Sequence, residues 1–364
     1  MYMTSFLTER ENRFDQIRLG LALLVVLGHC WHISTGPDAQ VPLQDFLRRG
    51  FHEYALNMFF FISGLLVTQS AFRRQGDLFG FALARVMRIF PGLIVCALAV
   101  PLFLIVAGAW IDPTLQQVVN YAGRLVSLVF VEFSRPNVFV GLPFEHAING
   151  SVWSLRHEVG AYALLALFVA SGAFFTRRWV LLAYCCTVLV IAIIGHVVAP
   201  KGMGGIWFLL AETRVVIVSF LLGVLTHRFA AWLWIDWRIA ALLWGVTFAG
   251  QSMLPDVAAV YWFNIVLSYT VLCLAYLGGR SKGLPLDLSY GVYIYGWPLQ
   301  QLAVMFCLHH FAFVPGPMTL FLLVLPALLI VAWASWVFVE RPAISLGQRR
   351  GSARWSKLRR NIAV

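Results

Sequence analysis

Arg18 and His29 stand eleven positions apart in IRLGLALLVVLGHCWHI, a stretch that is otherwise almost wholly apolar. On a helix eleven residues turn about 20° past three full turns, so the two side chains share one face, about 16 Å apart along the axis. His32 follows three residues later on nearly the same face. An imidazole in this setting can remove a proton or attack a carbonyl carbon, and a guanidinium can hold an anion. The bland alternative is a snorkelling arginine with a packed, hydrogen-bonded histidine. On this pair alone both readings stay open.

A second cationic pair lies in ARVMRIFPG, where Arg85 and Arg88 are spaced i, i+3 and can meet one anion. Pro91 is read as marking the start of a span, and no acidic neighbour in the sequence neutralises the pair. With Arg18 these arginines make a cationic mouth suited to bidentate phosphate binding. A third cluster is NGSVWSLRHEVGAY, with Arg156, His157 and Glu158 about one turn into another apolar run. Ser154 and Glu158 are i, i+4 and share a face. Glu158 needs a partner at that depth. Arg156, Arg214 and His29 are the three candidates, and a carboxylate on His29 would fix its tautomer as a catalytic base requires. Ser63, Asn57 and Trp153 are the candidate donors to a tetrahedral oxyanion. Phe139, Phe144, Glu145, His146 and Asn149, in the stretch between, either contact a sugar or form a self-packed lid.

The elements that carry these groups follow from composition. The chain has 364 residues, 60% hydrophobic, 15% aromatic and only 12% charged, with a mean hydropathy of +0.80. Soluble domains carry about 25% charged residues, so a cytosolic globular protein is excluded, and so many aromatics exclude a disordered one. Apolar runs long enough to cross a bilayer fall near 17–34, 55–72, 89–109, 153–172, 179–198, 209–227, 239–254, 258–277, 288–308 and 318–339. The expected fold is therefore all-α, a polytopic bundle of about ten transmembrane helices. With both termini cytoplasmic, only Arg48, Arg49, Arg124, Arg135, Arg156, Lys201 and Arg214 of the 27 basic residues lie outside, which obeys the positive-inside rule. That bias accounts for the net charge of +11 without nucleic acid, and the tail RRGSARWSKLRR reads as a topology anchor on anionic lipid. The first run lacks a small-residue cleavage site and is not a signal peptide. The connection over about 110–152 lies outside, and a loop of that length is usually functional or mobile. Cys30, Cys96, Cys185, Cys186, Cys273 and Cys307 all sit in apolar runs without CxxC or Cys/His spacing, so no disulfide framework and no metal site is expected.

Taken in order, Arg18-x10-His29, FFFISG (59–64), RVMRIFP (85–91), SVWSLRHE (151–158), SYGVYIYGWP (289–298) and VERP (339–342) resemble the integral-membrane acyltransferase-3 family. The match runs from Arg18 to Pro342, and the size is most similar to the exopolysaccharide O-acetyltransferases that decorate polymers such as xanthan and succinoglycan. Members O-acylate surface polysaccharides, lipopolysaccharide, peptidoglycan and Nod factors. The resemblance implies a transmembrane acyltransferase domain over 1–345 followed by a basic cytoplasmic tail over 346–364. It implies His29 as the catalytic histidine, Arg18 as its paired arginine, Arg85 and Arg88 as holders of the acyl-CoA donor, and Glu158 as the acidic group of the WSLxxE motif. Gly296 stands where the family often has a histidine. Arg156-His157 replaces a commoner small polar pair. Many relatives carry an outer hydrolase-like domain after an eleventh span, and neither is expected in this chain.

The expected activity is transfer of an acetyl group from cytoplasmic acetyl-CoA, the donor substrate, to a sugar hydroxyl of a surface or exopolysaccharide, on its lipid-linked repeat unit. His29 either deprotonates that hydroxyl or briefly carries the acetyl group. Expected partners are a polysaccharide or lipid-linked oligosaccharide acceptor, membrane lipids and the polysaccharide assembly machinery, at the bacterial inner membrane. A flippase or transporter of lipid-linked oligosaccharide is the rival reading, since buried charges and ten spans suit it too. The concentration of those charges on three helices and the lack of an inverted repeat speak against it. A scaffold needs no polar face within lipid. A succinyl donor is the alternative inside the enzyme reading.

Overall fold

The computed structural model describes residues 2–4, 12–74, 77–128, 133–171, 178, 181–182, 185–186, 189–190, 206–279, 281 and 283–349; for 206–214 and 251 it describes the backbone alone. Among the described residues the chain is helical and forms no strand. The helices are α1 (Phe14–Thr35), α2 (Gln44–Leu47), α3 (Phe51–Arg73), α4 (Leu78–Val106), α5 (Leu115–Ser127), α6 (Leu155–Ala170), α7 (Ile206–Arg228), α8 (Trp237–Gly250), α9 (Asp256–Leu277), α10 (Ser289–Phe311) and α11 (Pro317–Ser335). A π turn over Trp336–Glu340 prolongs α11. Among the described residues five helices are long and apolar enough to cross a membrane: α1, α3, α4, α9 and the continuous run Pro317–Arg349. The chain is therefore read as a multi-pass membrane protein. The expected runs at 153–172, 209–227, 239–254 and 288–308 correspond to α6, α7, α8 and α10. The run at 179–198 and the tail beyond 349 lie largely or wholly outside the described residues, as do Arg177, Lys201, Arg280, Lys282 and the side chain of Arg214.

The chain divides into two compact units. The first comprises Met1–Leu21, Pro42–Leu78 and Gly160–Pro285; the second comprises Ala22–Val41, Phe79–Val159 and Leu286–Val364. In the first unit α3 and α7 pack backbone against backbone. A methyl group at Gly64 would collide with the carbonyl of Phe220, and one at Gly223 with that of Phe61. Small residues permit this approach where lipid offers no hydrophobic drive to associate. A smaller cluster of Leu47, Tyr54 and Phe263 joins α2, α3 and α9, and the Tyr54 hydroxyl donates to Leu47 O at 2.7 Å.

In the second unit α10 is the most enclosed element, buried without a break from Ser289 to Pro298. Gly291 lies against Ala332 of α11, where a methyl group would come within 2.8 Å of the Ala332 Cα. The neighbouring Tyr290 hydroxyl donates to Ile89 O of α4 at 2.8 Å.

Two expectations are corrected here. Pro91 does not open a helix: α4 begins at Leu78, so Pro91 and Pro101 are interior and Arg85 and Arg88 are already helical. A proline removes one i−4 bond, so Pro91 and Pro101 leave the carbonyls of Met87 and Ala97 without their helical donors inside this 29-residue helix. The long connection over about 110–152 is also not loop throughout. Thr114 and Gln117 form a reciprocal capping box that starts α5, with Tyr121, Ala122 and Leu125 on its buried face. The T-x-x-Q signature after Pro113 was legible as a helix start. Beyond α5 the chain is closed on itself by isolated bridges, Trp110 to Val138 and Ser134 to Ala147, with Phe139 and Ile148 buried.

Candidate functional site

The site is built around α10, and Pro298 explains why. Without an N–H, Pro298 leaves the carbonyl of Ile294 without its helical donor. Asn149 Nδ2 donates to that carbonyl at 2.8 Å, and Cys96 Sγ of α4 approaches it at 3.6 Å. Asn149 is wholly buried, and its own Oδ1 accepts from Ser151 N at 3.2 Å. Two further bonds pin the same loop to α10: Trp297 Nε1 donates to Ala147 O at 3.2 Å and Gln301 Nε2 to Phe144 O at 2.7 Å. The loop thus descends α10 residue by residue, 144 to 301, 147 to 297 and 149 to 294. Phe139 and Asn149 are both buried within it.

His29, 9% exposed, lies on the other flank of α10. Its ring meets Trp297 in a T-shaped contact with centroids 5.0 Å apart and planes at 72°. The turn carrying His29 is held by Gln300, whose Nε2 donates to Val26 O at 2.6 Å and contacts Cys30 Sγ at 2.8 Å. Gly296 sits where α10 touches α1, and a methyl group there would fall 2.7 Å from Val26 Cγ2. Position 296 therefore faces the helical turn that precedes His29.

At the other end of α10 Arg88 has a partner the sequence did not show. Arg88 Nη2 bonds Asp287 Oδ2 at 2.6 Å; Asp287 Oδ1 also accepts from the Ser289 hydroxyl at 2.7 Å. Arg88 is therefore neutralised, by an acidic group that does not lie near it in the sequence. Asp287 lies some 200 residues away along the chain, beyond the reach of any local pattern. The Arg88 guanidinium also lies over the Trp336 ring, 5.9 Å from its centroid, a cation–π geometry. Arg85 is half-buried on the same helix. Glu340, enclosed in the π turn, accepts from the Ser335 hydroxyl at 2.8 Å.

Between the two ends stand Tyr290 and Tyr293, and Glu158 is within electrostatic range of both phenols. The Tyr293 hydroxyl donates to Ser151 O. A phenol has one proton to give, so in its 2.6 Å contact with Ser154 the serine is the donor. Trp153 is half-buried and meets His157 edge to face at 5.3 Å. Both ring nitrogens of the buried His157 lack a hydrogen-bond partner.

The structure thus brings His29, Glu158, Trp153, Asn149, Arg85 and Arg88 into one unit, all but His29 from segments far from α1. Arg18 belongs to the part of α1 in the first unit, half-buried on the same unbroken helix as His29. Asn57 and Ser63 also belong to the first unit; Asn57 is buried and Ser63 exchanges a hydrogen bond with the Tyr162 hydroxyl at 2.7 Å. Sequence reasoning missed Asp287, Tyr293, Trp297, Gln300 and Glu340 as site residues. A proline in mid-span and a glutamate inside an apolar run were the signals available for Trp297 and Glu340.

A family model for the acyltransferase domain matches residues 11–337. The chain belongs to the acyltransferase-3 family. It is an acyltransferase. Among characterised proteins, this acyltransferase is 26% identical over 353 residues to the "O-acetyl transferase" of Shigella phage Sf6, covering 91% of this chain and 96% of that protein. It is 28% identical over 364 residues to "Nodulation protein 10" of Rhizobium leguminosarum bv. viciae, covering 92% and 94% respectively. No solved structure matches it at comparable significance.

Proposed function

We propose that this acyltransferase transfers an acetyl group from cytoplasmic acetyl-CoA to a sugar hydroxyl of a surface or exopolysaccharide, on its lipid-linked repeat unit, at the bacterial inner membrane. One observation carries the reading: α10 has the Arg88 guanidinium at its amino-terminal end and the His29 imidazole against Trp297 further along. From Ser289 to Trp297 the helix rises about 12 Å, a distance that a pantetheine arm can span. Phosphates held at Arg88 and Arg85 thus leave the thioester near His29. Family membership and the likeness to an O-acetyl transferase support the reaction class.

The chemistry needs little beyond these groups. His29 accepts the proton of the sugar hydroxyl as its oxygen attacks the thioester carbonyl. The tetrahedral intermediate collapses, the carbon–sulfur bond breaks, and the departing thiolate recovers the proton from the imidazolium. Glu158 favours the protonated ring electrostatically, and Tyr293, Ser154 and Trp153 line its side of the unit. The enclosure of α10 keeps water from competing for the thioester.

The test is acetyl incorporation in inverted membrane vesicles given labelled acetyl-CoA, with host polymer analysed by mass spectrometry. His29→Ala is expected to abolish incorporation at unchanged protein level. Undiminished label in that variant overturns the reading, and an added mass of succinyl rather than acetyl replaces the donor.

A further inference from the structure

We infer that Trp297 is the positioning residue that sets the orientation of His29, and that the outer loop acts on catalysis through it. The inference rests on His29 as the catalytic base. The imidazole of His29 has Trp297 as a T-shaped ring neighbour at 5.0 Å, within the range where aromatic pairs have a preferred geometry.

The indole is itself fixed on three sides, all by the loop. Its Nε1 donates to Ala147 O at 3.2 Å. The Phe144 ring meets it edge-on at 5.0 Å, with planes at 87°. The backbone of Gly150 lies flat against it: a methyl group there would fall 2.8 Å from Cη2 and Cζ3 and 2.9 Å from Cδ2. Asn149 and Gln301 anchor that loop to α10 on either side of Trp297. Loop, indole and imidazole therefore stand in series, so a displacement of the loop reaches His29 without touching it. Gly150 is not at a positive backbone angle, so alanine there is not strained by its backbone, and the nearest atoms it meets all belong to Trp297.

The experiment uses the full-length protein in inverted vesicles with acetyl-CoA, separating kcat from KM. Trp297→Leu fills much of the volume without a ring. It is expected to lower kcat on the order of a hundredfold, the scale of a misplacement of about 1 Å, with KM for acetyl-CoA within about twofold. Trp297→Phe keeps a ring edge for His29 and is expected to retain about a third of kcat. Gly150→Ala lowers kcat about tenfold in the wild-type background and has no further effect on Trp297→Phe, whose smaller ring vacates the contact. Melting temperature of each purified variant is measured alongside, and Trp297→Phe and Gly150→Ala carry the test if Trp297→Leu does not fold. A merely structural tryptophan would move melting temperature and leave the kcat–KM split and the Gly150 dependence unchanged. Wild-type kcat in Trp297→Leu, or additive effects of Gly150→Ala and Trp297→Phe, overturns the inference while His29→Ala stays inactive. Activity in His29→Ala instead overturns the reading of His29.

Discussion

Arg88 and Asp287 show what pairing does to a single residue. Their side chains are 16% and 19% exposed, so neither is fully hydrated and neither is sealed from water. Removing one partner of a buried pair leaves an uncompensated charge, at about 3–5 kcal/mol when fully desolvated; with a fifth of the surface still wet, about 2 kcal/mol is expected for Asp287→Ala. Thermal unfolding in detergent measures it, and Arg88→Met combined with Asp287→Leu is expected to recover most of that loss. Activity follows a different rule. Arg88→Ala is expected to raise KM for acetyl-CoA about tenfold, the loss of one charge-assisted phosphate contact, with little change in kcat. An unchanged KM would place Arg88 outside the donor site and leave it as the link between α4, Asp287 and Trp336. The spacing of Arg85 and Arg88 was plain in the sequence. Asp287 was not, because a half-buried ion pair between distant segments leaves no periodic trace in either of them.

Helix α10 makes the corresponding case for an element. A proline in a helix interior ordinarily costs about 3 kcal/mol, yet here the carbonyl it releases is the anchor for Asn149. Asn149→Ala is expected to cost about 1–3 kcal/mol, since it leaves the Ile294 carbonyl short of a donor in a dry setting. In a Pro298→Ala background that carbonyl regains the helical N–H, so the same change is expected to cost much less. Melting temperatures of the two singles and the double variant decide it, and additivity would show that Ile294 O is satisfied from elsewhere. The α3–α7 contact is less forgiving. Gly64→Ala or Gly223→Ala drives a methyl into a carbonyl of the facing helix, and overpacking of this kind costs about 1–3 kcal/mol or more. Reduced yield of folded protein is the expected outcome, with Gly245→Ala as a control because a methyl there meets nothing within 4 Å. The positions of most helices were legible from apolar runs. Their ends were not: the proline at 91 suggested a boundary that packing overrode, and α5 was hidden in a connection too polar to register as a span.

For the whole molecule, the asymmetry of the basic residues predicts topology. A periplasm-active reporter fused within 133–149 is expected to be active, and the same reporter after Arg349 inactive; the opposite pattern would reverse the orientation and move acetyl-CoA to the wrong end of α10. What the sequence determined by itself is the class of the protein and its family: an apolar, net basic helical chain with Arg18, His29, Arg85, Arg88 and Glu158 at telling places. Those properties are local, set by hydropathy, helical spacing and charge counts along a single segment. The surroundings of His29 were decided only by tertiary structure. Gln300 reaches Cys30 across 270 residues of chain and Trp297 comes to rest between His29 and Phe144. Such contacts arise when separate helices bury their faces together, and no one helix carries the pattern of its partner.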